Sequence, residues 1–110
     1  MKQWDIYQYP FPDPIGHHPV VILTPNEQAS NPDLHHVNVL MVVSLRTDRV
    51  LKKLEVALNG ADGLDHLSAV KVLPIHLIHK KDLGAKRGSV GQTRQKAIAA
   101  KIREVYRLPV

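Results

Sequence analysis

Apolar and polar positions along this chain follow three successive rhythms, and each change of rhythm marks an element. Residues 3–9 (Gln-Trp-Asp-Ile-Tyr-Gln-Tyr) alternate, the period-two pattern of a half-buried strand. Pro10 to Gly16 holds three prolines and a glycine and predicts a stiff, irregular loop that breaks the strand. Pro19 to Thr24 is almost continuously apolar, which fits a central buried strand ended by Pro25. Val37 to Leu45 is the most β-prone stretch and predicts a second buried strand, followed by a polar loop over Arg46–Arg49. Leu54–Leu58 predicts a shorter strand, closed by Asn59–Gly63, whose glycines supply positive φ. Ser68–Leu73 alternates again; Pro74 demotes its end to an edge or bulge, and Ile75–Ile78 continues the sheet beyond it.

From Gln92 to Arg107 the rhythm changes to that of a helix. Ile98, Ile102, Val105 and Tyr106 fall at i, i+4, i+7 and i+8, with Arg94, Lys96, Lys101 and Arg103 off the stripe, and Pro109 stops the helix. Five or six short strands and one terminal helix predict a mainly β fold, a small curled sheet or barrel capped by a helix.

Composition narrows this picture. With 110 residues the chain is read as one domain, residues 1–110, and 44% apolar against 23% charged residues is a globular balance. Only 5% is aromatic, so the core must be aliphatic. The absence of cysteine excludes disulfides, thiolate metal sites and a cysteine nucleophile. No apolar run approaches the roughly 18–20 residues that span a bilayer, and Met1–Asp5 lacks a signal-peptide core, so a cytoplasmic protein without membrane contact is expected.

The net charge of +5 is unevenly spread. Residues 1–66 carry 5 Lys/Arg against 8 Asp/Glu, and residues 67–110 carry 10 against 2. A basic half on a mildly acidic domain points to a polyanion, nucleic acid before membrane; a solvated basic helix face is the plainer reading of the same charges.

Candidate chemistry begins at Gly16-His17-His18-Pro19, where two imidazoles stand at the mouth of a proline-rich loop. Imidazole titrates near pH 6.5, which suits proton transfer at neutral pH. A second pair, His35-His36, precedes the next strand, but no H-x-x-x-H spacing accompanies either pair and adjacent residues on a strand point oppositely. No metal site and no cofactor is therefore expected. Ser44 ends the second buried strand beside Arg46, where a hydroxyl and a guanidinium suit a phosphate; without a G-x-S-x-G elbow, Ser44 is a poor acyl nucleophile.

Several short motifs occur together in one order. Trp4-x-Ile6-Tyr7 leads into Asp13-Pro14-Ile15-Gly16-His17, then His18-Pro19-Val20-Val21-Ile22-Leu23-Thr24-Pro25. Val42-Val43-Ser44, Asp62-Gly63-Leu64-Asp65, Ser68-Ala69-Val70-Lys71 and the terminal helix follow. Over essentially its whole length the chain resembles the MazF/PemK toxins, ribosome-independent endoribonucleases of bacterial toxin–antitoxin systems. The resemblance implies an SH3-like small β-barrel of the MazF/PemK/CcdB type, usually a homodimer, that cleaves single-stranded RNA without metal by transesterification and is neutralised by an acidic antitoxin protein. It maps catalytic roles onto His17, His18, Ser44 and Lys71. Arg46, Lys80 and Lys81 are the candidate RNA-binding cations.

Three positions depart from the family pattern. His18 stands where the family has arginine, so a fixed guanidinium charge is missing there. The loop between Gly16 and Pro19 is several residues short, and Leu73 replaces an acidic residue used as a base in the PemK branch. These departures keep two other readings open: a binding barrel that has lost cleavage, and a toxin of the same fold aimed at a protein such as DNA gyrase.

Overall fold

Strand β1 spans Asp5–Phe11, β2 Gly16–Ile22, β3 His36–Ser44, β4 Glu55–Leu58, β5 Ser68–Lys71, β6 His76–His79 and β7 Lys86–Ser89. A one-turn helix α1, Asn26–Ala29, follows β2, and the long helix α2, Gln92–Tyr106, closes the chain. The structure, a computed structural model, describes residues 1–45, 50–59, 62–64 and 67–109. All strand pairs are antiparallel, in the order β4-β5-β3-β2-β1-β7, with β6 also on β3.

β3 organises the sheet. It pairs with β2 through Val39–Met41, with β6 through His36–Val39 and with β5 through Val42–Ser44. The strand read as Ser68–Leu73 ends at Lys71, and the sheet continues beyond Pro74 as expected, since β5 and β6 pair with successive stretches of the same neighbour.

Two prolines lie inside strands where a loop or a strand start was expected. Pro10 pairs with His17 near the end of β1, beyond the stretch that β7 covers, so the missing N–H leaves no ladder position empty. Pro19 pairs with Gln8, and the β3 ladder begins only at Val20. The turn between β1 and β2 thus shrinks to residues 12–15.

Alternation along the strands divides the apolar residues into two clusters. Ile6, Val21, Leu40 and Val42 join Val56, Leu58 and Val70 beneath α2, with Ile98 of α2 fully buried among them. Val20, Ile22, Val37 and Val39 face the other way and pack with Phe11 and Ile78. Each fully buried aliphatic side chain contributes about 1.5–3 kcal/mol relative to exposure.

Helix α2 is anchored around its first turn and capped at its far end. The buried Asp62 carboxylate accepts from Asn59 N (3.1 Å) and from Gly91 N (2.8 Å), the residue before the helix, so one side chain ties the end of β4 to the start of α2. Arg94 Nη1 donates to Ala57 O (2.7 Å). At the far end Arg107 adopts a left-handed conformation (φ 54°) and Leu108 N donates to Arg103 O (2.9 Å), which ends the helix two residues before Pro109.

Candidate functional site

A pocket of about 320 Å³ opens on the face of the sheet that carries Val42. This is the small end of the range for ligand pockets, about 300–1,000 Å³. Its polar wall is built one strand at a time: Ser68 from β5, Ser44 from β3, His17 from β2, Gln8 from β1 and Arg87 from β7. These are consecutive strands in the sheet. His18, Pro19, Val42, Val43 and Leu64 complete the lining.

Register explains the convergence. Ser44 pairs with Ser68, which sets two hydroxyl-bearing residues opposite each other on β3 and β5. Gln8 pairs with Pro19, two residues along β2 from His17 and on the same face.

The same alternation separates the two adjacent histidines. His17 is exposed on the pocket side. His18 pairs with Tyr9 and sets its ring edge-on to Phe11, with centroids 6.1 Å apart, among the second cluster. Its Nδ1 lies 3.1 Å from Val42 O and its Nε2 3.2 Å from Ile15 O. Either neutral tautomer donates to one of these carbonyls and the protonated ring to both, so His18 is committed to the backbone around it.

Arg87 is held from two directions. Its Nη1 donates to Gln8 Oε1 at 2.9 Å, across 79 residues of sequence. Its backbone is fixed by the approach of residues 62–63: a Cβ on Gly63 (φ +89°) would meet Arg87 O at 2.5 Å, and one on Gly88 would collide with Asp62 O. The neighbouring Asp5 carboxylate accepts from Ser89 Oγ and Lys2 N, both at 2.9 Å, with Lys86 Nζ at 3.5 Å. The register shift on β1 between Ile6 and Tyr7 falls within this pairing.

The remaining sequence candidates lie elsewhere. Lys71 pairs with Glu55 and lines a second cleft, about 370 Å³, with Lys52, Lys53, Leu54 and Leu73. Lys80 Nζ donates to Gln28 O (3.1 Å) and Asn31 O (2.8 Å), securing the end of α1. Lys81 is exposed beside it, outside both clefts. Arg46 lies outside the described residues, as does His66. Gln8, Ser68 and Arg87 were not found by sequence reasoning.

Two further histidine environments come from the β3–β6 pairing. His35 stacks on His79 (5.8 Å between centroids), and His36 meets the same ring at 5.0 Å. Desolvation, then Lys81 and His36, lower the pKa of His79, opposed by Asp82, with His35 adding the least. Among the described residues, no group of three or more His, Asp or Glu is placed to hold a metal ion. His76 packs edge-on to Phe11 (5.2 Å) with Nε2 buried and without a hydrogen-bond partner; burial and then Lys71 lower its pKa. No helix among the described residues is long and apolar enough to cross a membrane.

Comparison with known proteins gives a consistent answer. A family model described as PemK-like, MazF-like toxin of type II toxin-antitoxin systems matches residues 2–106. An endoribonuclease in complex with its cognate antitoxin from a mycobacterial species superimposes with a TM-score of 0.80 at 19% identity, over 100% of this chain and 98% of that one. The Mycobacterium tuberculosis toxin MazF-mt6 gives 0.80 at 24% identity, over 96% and 99%. A MazE–MazF structure from Deinococcus radiodurans gives 0.74 at 14%, over 99% and 97%. The curled half-barrel with its C-terminal helix is thus the fold of MazF-like toxins. The curated proteins yield no match.

Proposed function

The chain belongs to the PemK-like, MazF-like toxins of type II toxin-antitoxin systems, and on that premise we propose that it cleaves single-stranded RNA in the pocket walled by Ser44, His17, Gln8 and Arg87. The convergence of these side chains from four consecutive strands carries the reading. The solved relative that is an endoribonuclease bound to its antitoxin supports it.

The reaction is a transesterification. His17, the imidazole on the pocket side, takes the proton of the ribose 2′-hydroxyl. The 2′-oxygen attacks phosphorus, the bond to the 5′-oxygen breaks, and that oxygen takes a proton from solvent at the open mouth. The products are a 2′,3′-cyclic phosphate and a 5′-hydroxyl. Ser44 hydrogen-bonds a phosphate oxygen, and His18 maintains the shape of the strand that carries His17. No step requires a metal ion. Lys52, Lys53 and Lys71 give the strand a positive surface beyond the pocket.

The partner proposed is an acidic antitoxin, drawn to the excess of 10 Lys/Arg over 2 Asp/Glu in residues 67–110. The protein acts as a homodimer in the cytoplasm. The exposed Ile75 and Leu77 supply apolar surface for the second copy, and a monomeric mass by light scattering at micromolar concentration would count against it.

The test incubates a long single-stranded RNA with the protein and with His17→Ala. Cleavage to cyclic-phosphate ends, unaffected by chelators and reduced about 10²–10⁴-fold in the variant, is expected. Equal cleavage by the variant removes His17 from the reaction. Binding without cleavage by the unaltered protein makes it a binding module instead.

A further inference from the structure

We propose that Arg87 is the cationic phosphate-binding residue of the pocket, its guanidinium oriented by Gln8 to receive a backbone phosphate of the RNA strand. The inference rests on the RNA-cleaving reading above and assigns the anion-binding role to a strand that the sequence motifs do not mark. Arg87 is the one Lys or Arg among the described residues lining the pocket. It is half-buried, where a charge is screened less than on the open surface. A guanidinium matches two phosphate oxygens with two parallel N–H donors, a geometry that an ammonium or imidazolium lacks.

The structure invests in the position of this group. Gln8 accepts from Nη1, which turns the plane of the fork. Gly63 and Gly88 allow residues 62–63 and 87–88 to approach more closely than any side chain would permit, so the backbone beneath Arg87 is fixed. The imidazole of His18 is committed to Val42 O and Ile15 O behind the strand. A permanent positive charge therefore enters the pocket from β7.

The experiment compares the unaltered protein with Arg87→Ala, Arg87→Lys, Gln8→Leu and Lys101→Ala. Lys101→Ala removes one charge from α2, away from the pocket. Affinity for a short, fully 2′-O-methylated single strand, which lacks the nucleophile and cannot be cut, is measured against salt concentration. Single-turnover cleavage of the matching RNA is measured in parallel, and circular dichroism checks folding.

Arg87→Ala is expected to weaken binding about tenfold or more and to lower the salt slope by about 0.7, the value of one phosphate contact on a single strand. Arg87→Lys should keep most of the slope yet cleave several-fold more slowly. Gln8→Leu should slow cleavage at saturating RNA more than it weakens binding, and Lys101→Ala should cleave normally. Should the alanine variant unfold, Arg87→Gln keeps an N–H for Gln8 and replaces it. Unchanged affinity and cleavage without the guanidinium overturns the proposal while leaving the nuclease reading intact. No cleavage by the unaltered protein, with binding still dependent on Arg87, overturns the nuclease reading and upholds the phosphate site.

Discussion

His17 and His18 leave their strand on opposite faces, so substitutions at the two should differ in kind. His17→Ala removes an exposed ring and is expected to reduce cleavage without moving the melting temperature. His18→Ala removes a ring packed on Phe11 and its hydrogen bonding to Val42 O and Ile15 O, and should lower the melting temperature measurably. Thermal melts beside cleavage assays separate the two. His76 gives the molecule an acid-sensitive point. Its folded pKa is lowered by burial and Lys71, so as pH falls below the unfolded value near 6.5 the unfolded chain takes up a proton that the folded one resists. Stability is full above that value and declines in acid, with His79 adding a contribution of the same sign. Melting temperatures from about pH 8 down to about pH 5 should fall, and less steeply for His76→Phe. At this scale part of the site was legible. The Gly-His-His-Pro motif and the serine ending β3 announce themselves by position, and the opposed faces of adjacent strand residues are a general rule. Gln8 and Arg87 were not legible: each is an ordinary polar residue until pairing across 79 positions brings them within 2.9 Å.

Among the elements, α2 and the central strands follow from periodicity because burial of their own side chains decides them. The helix stripe containing Ile98 and Ile102 lies on the core as expected. Strand β7 does not follow, since Lys-Arg-Gly-Ser has neither alternation nor β-branched residues. It exists through its pairing with β1 and the Asp5 and Gly63 contacts, all of which are tertiary. The strands containing Pro10 and Pro19 reach into the stretch read as loop because proline breaks a ladder only where a neighbour needs its N–H. Two predictions belong here. Ile98→Ala, at a fully buried position between helix and sheet, should cost about 2–5 kcal/mol in urea unfolding. Gly63→Ala places a Cβ against Arg87 O at a left-handed backbone position and should cost at least about 1–3 kcal/mol. Because the displaced backbone belongs to Arg87, the variant should also cleave poorly at temperatures where it remains folded.

For the whole molecule, charge and shape are decided at different places. Several cations of the basic half serve the fold: Lys80 secures α1, Arg94 secures α2, and Lys86 lies beside Asp5. Among the described residues, Lys52, Lys53, Lys81, Lys96 and Arg103 are exposed and present their charge to a partner. Association with an acidic antitoxin should therefore slow as salt rises from low to physiological strength, where screening acts over about 8–10 Å, and stopped-flow mixing reads this directly. An association rate indifferent to salt would leave the charge asymmetry without that role.

The pairing of β1 with β7 joins the first of these strands to be made to the last, which has a consequence for the order of synthesis. A growing polypeptide carries Ser44 and His17 long before Arg87 and the closing helix have been added. Chains stopped after Ala85 lack one wall of the pocket and the cover of the larger apolar cluster, and are expected to cut no RNA in a translation extract where the finished chain does. On the nuclease reading proposed above, cutting is therefore expected only from chains to which β7 and α2 have already been added.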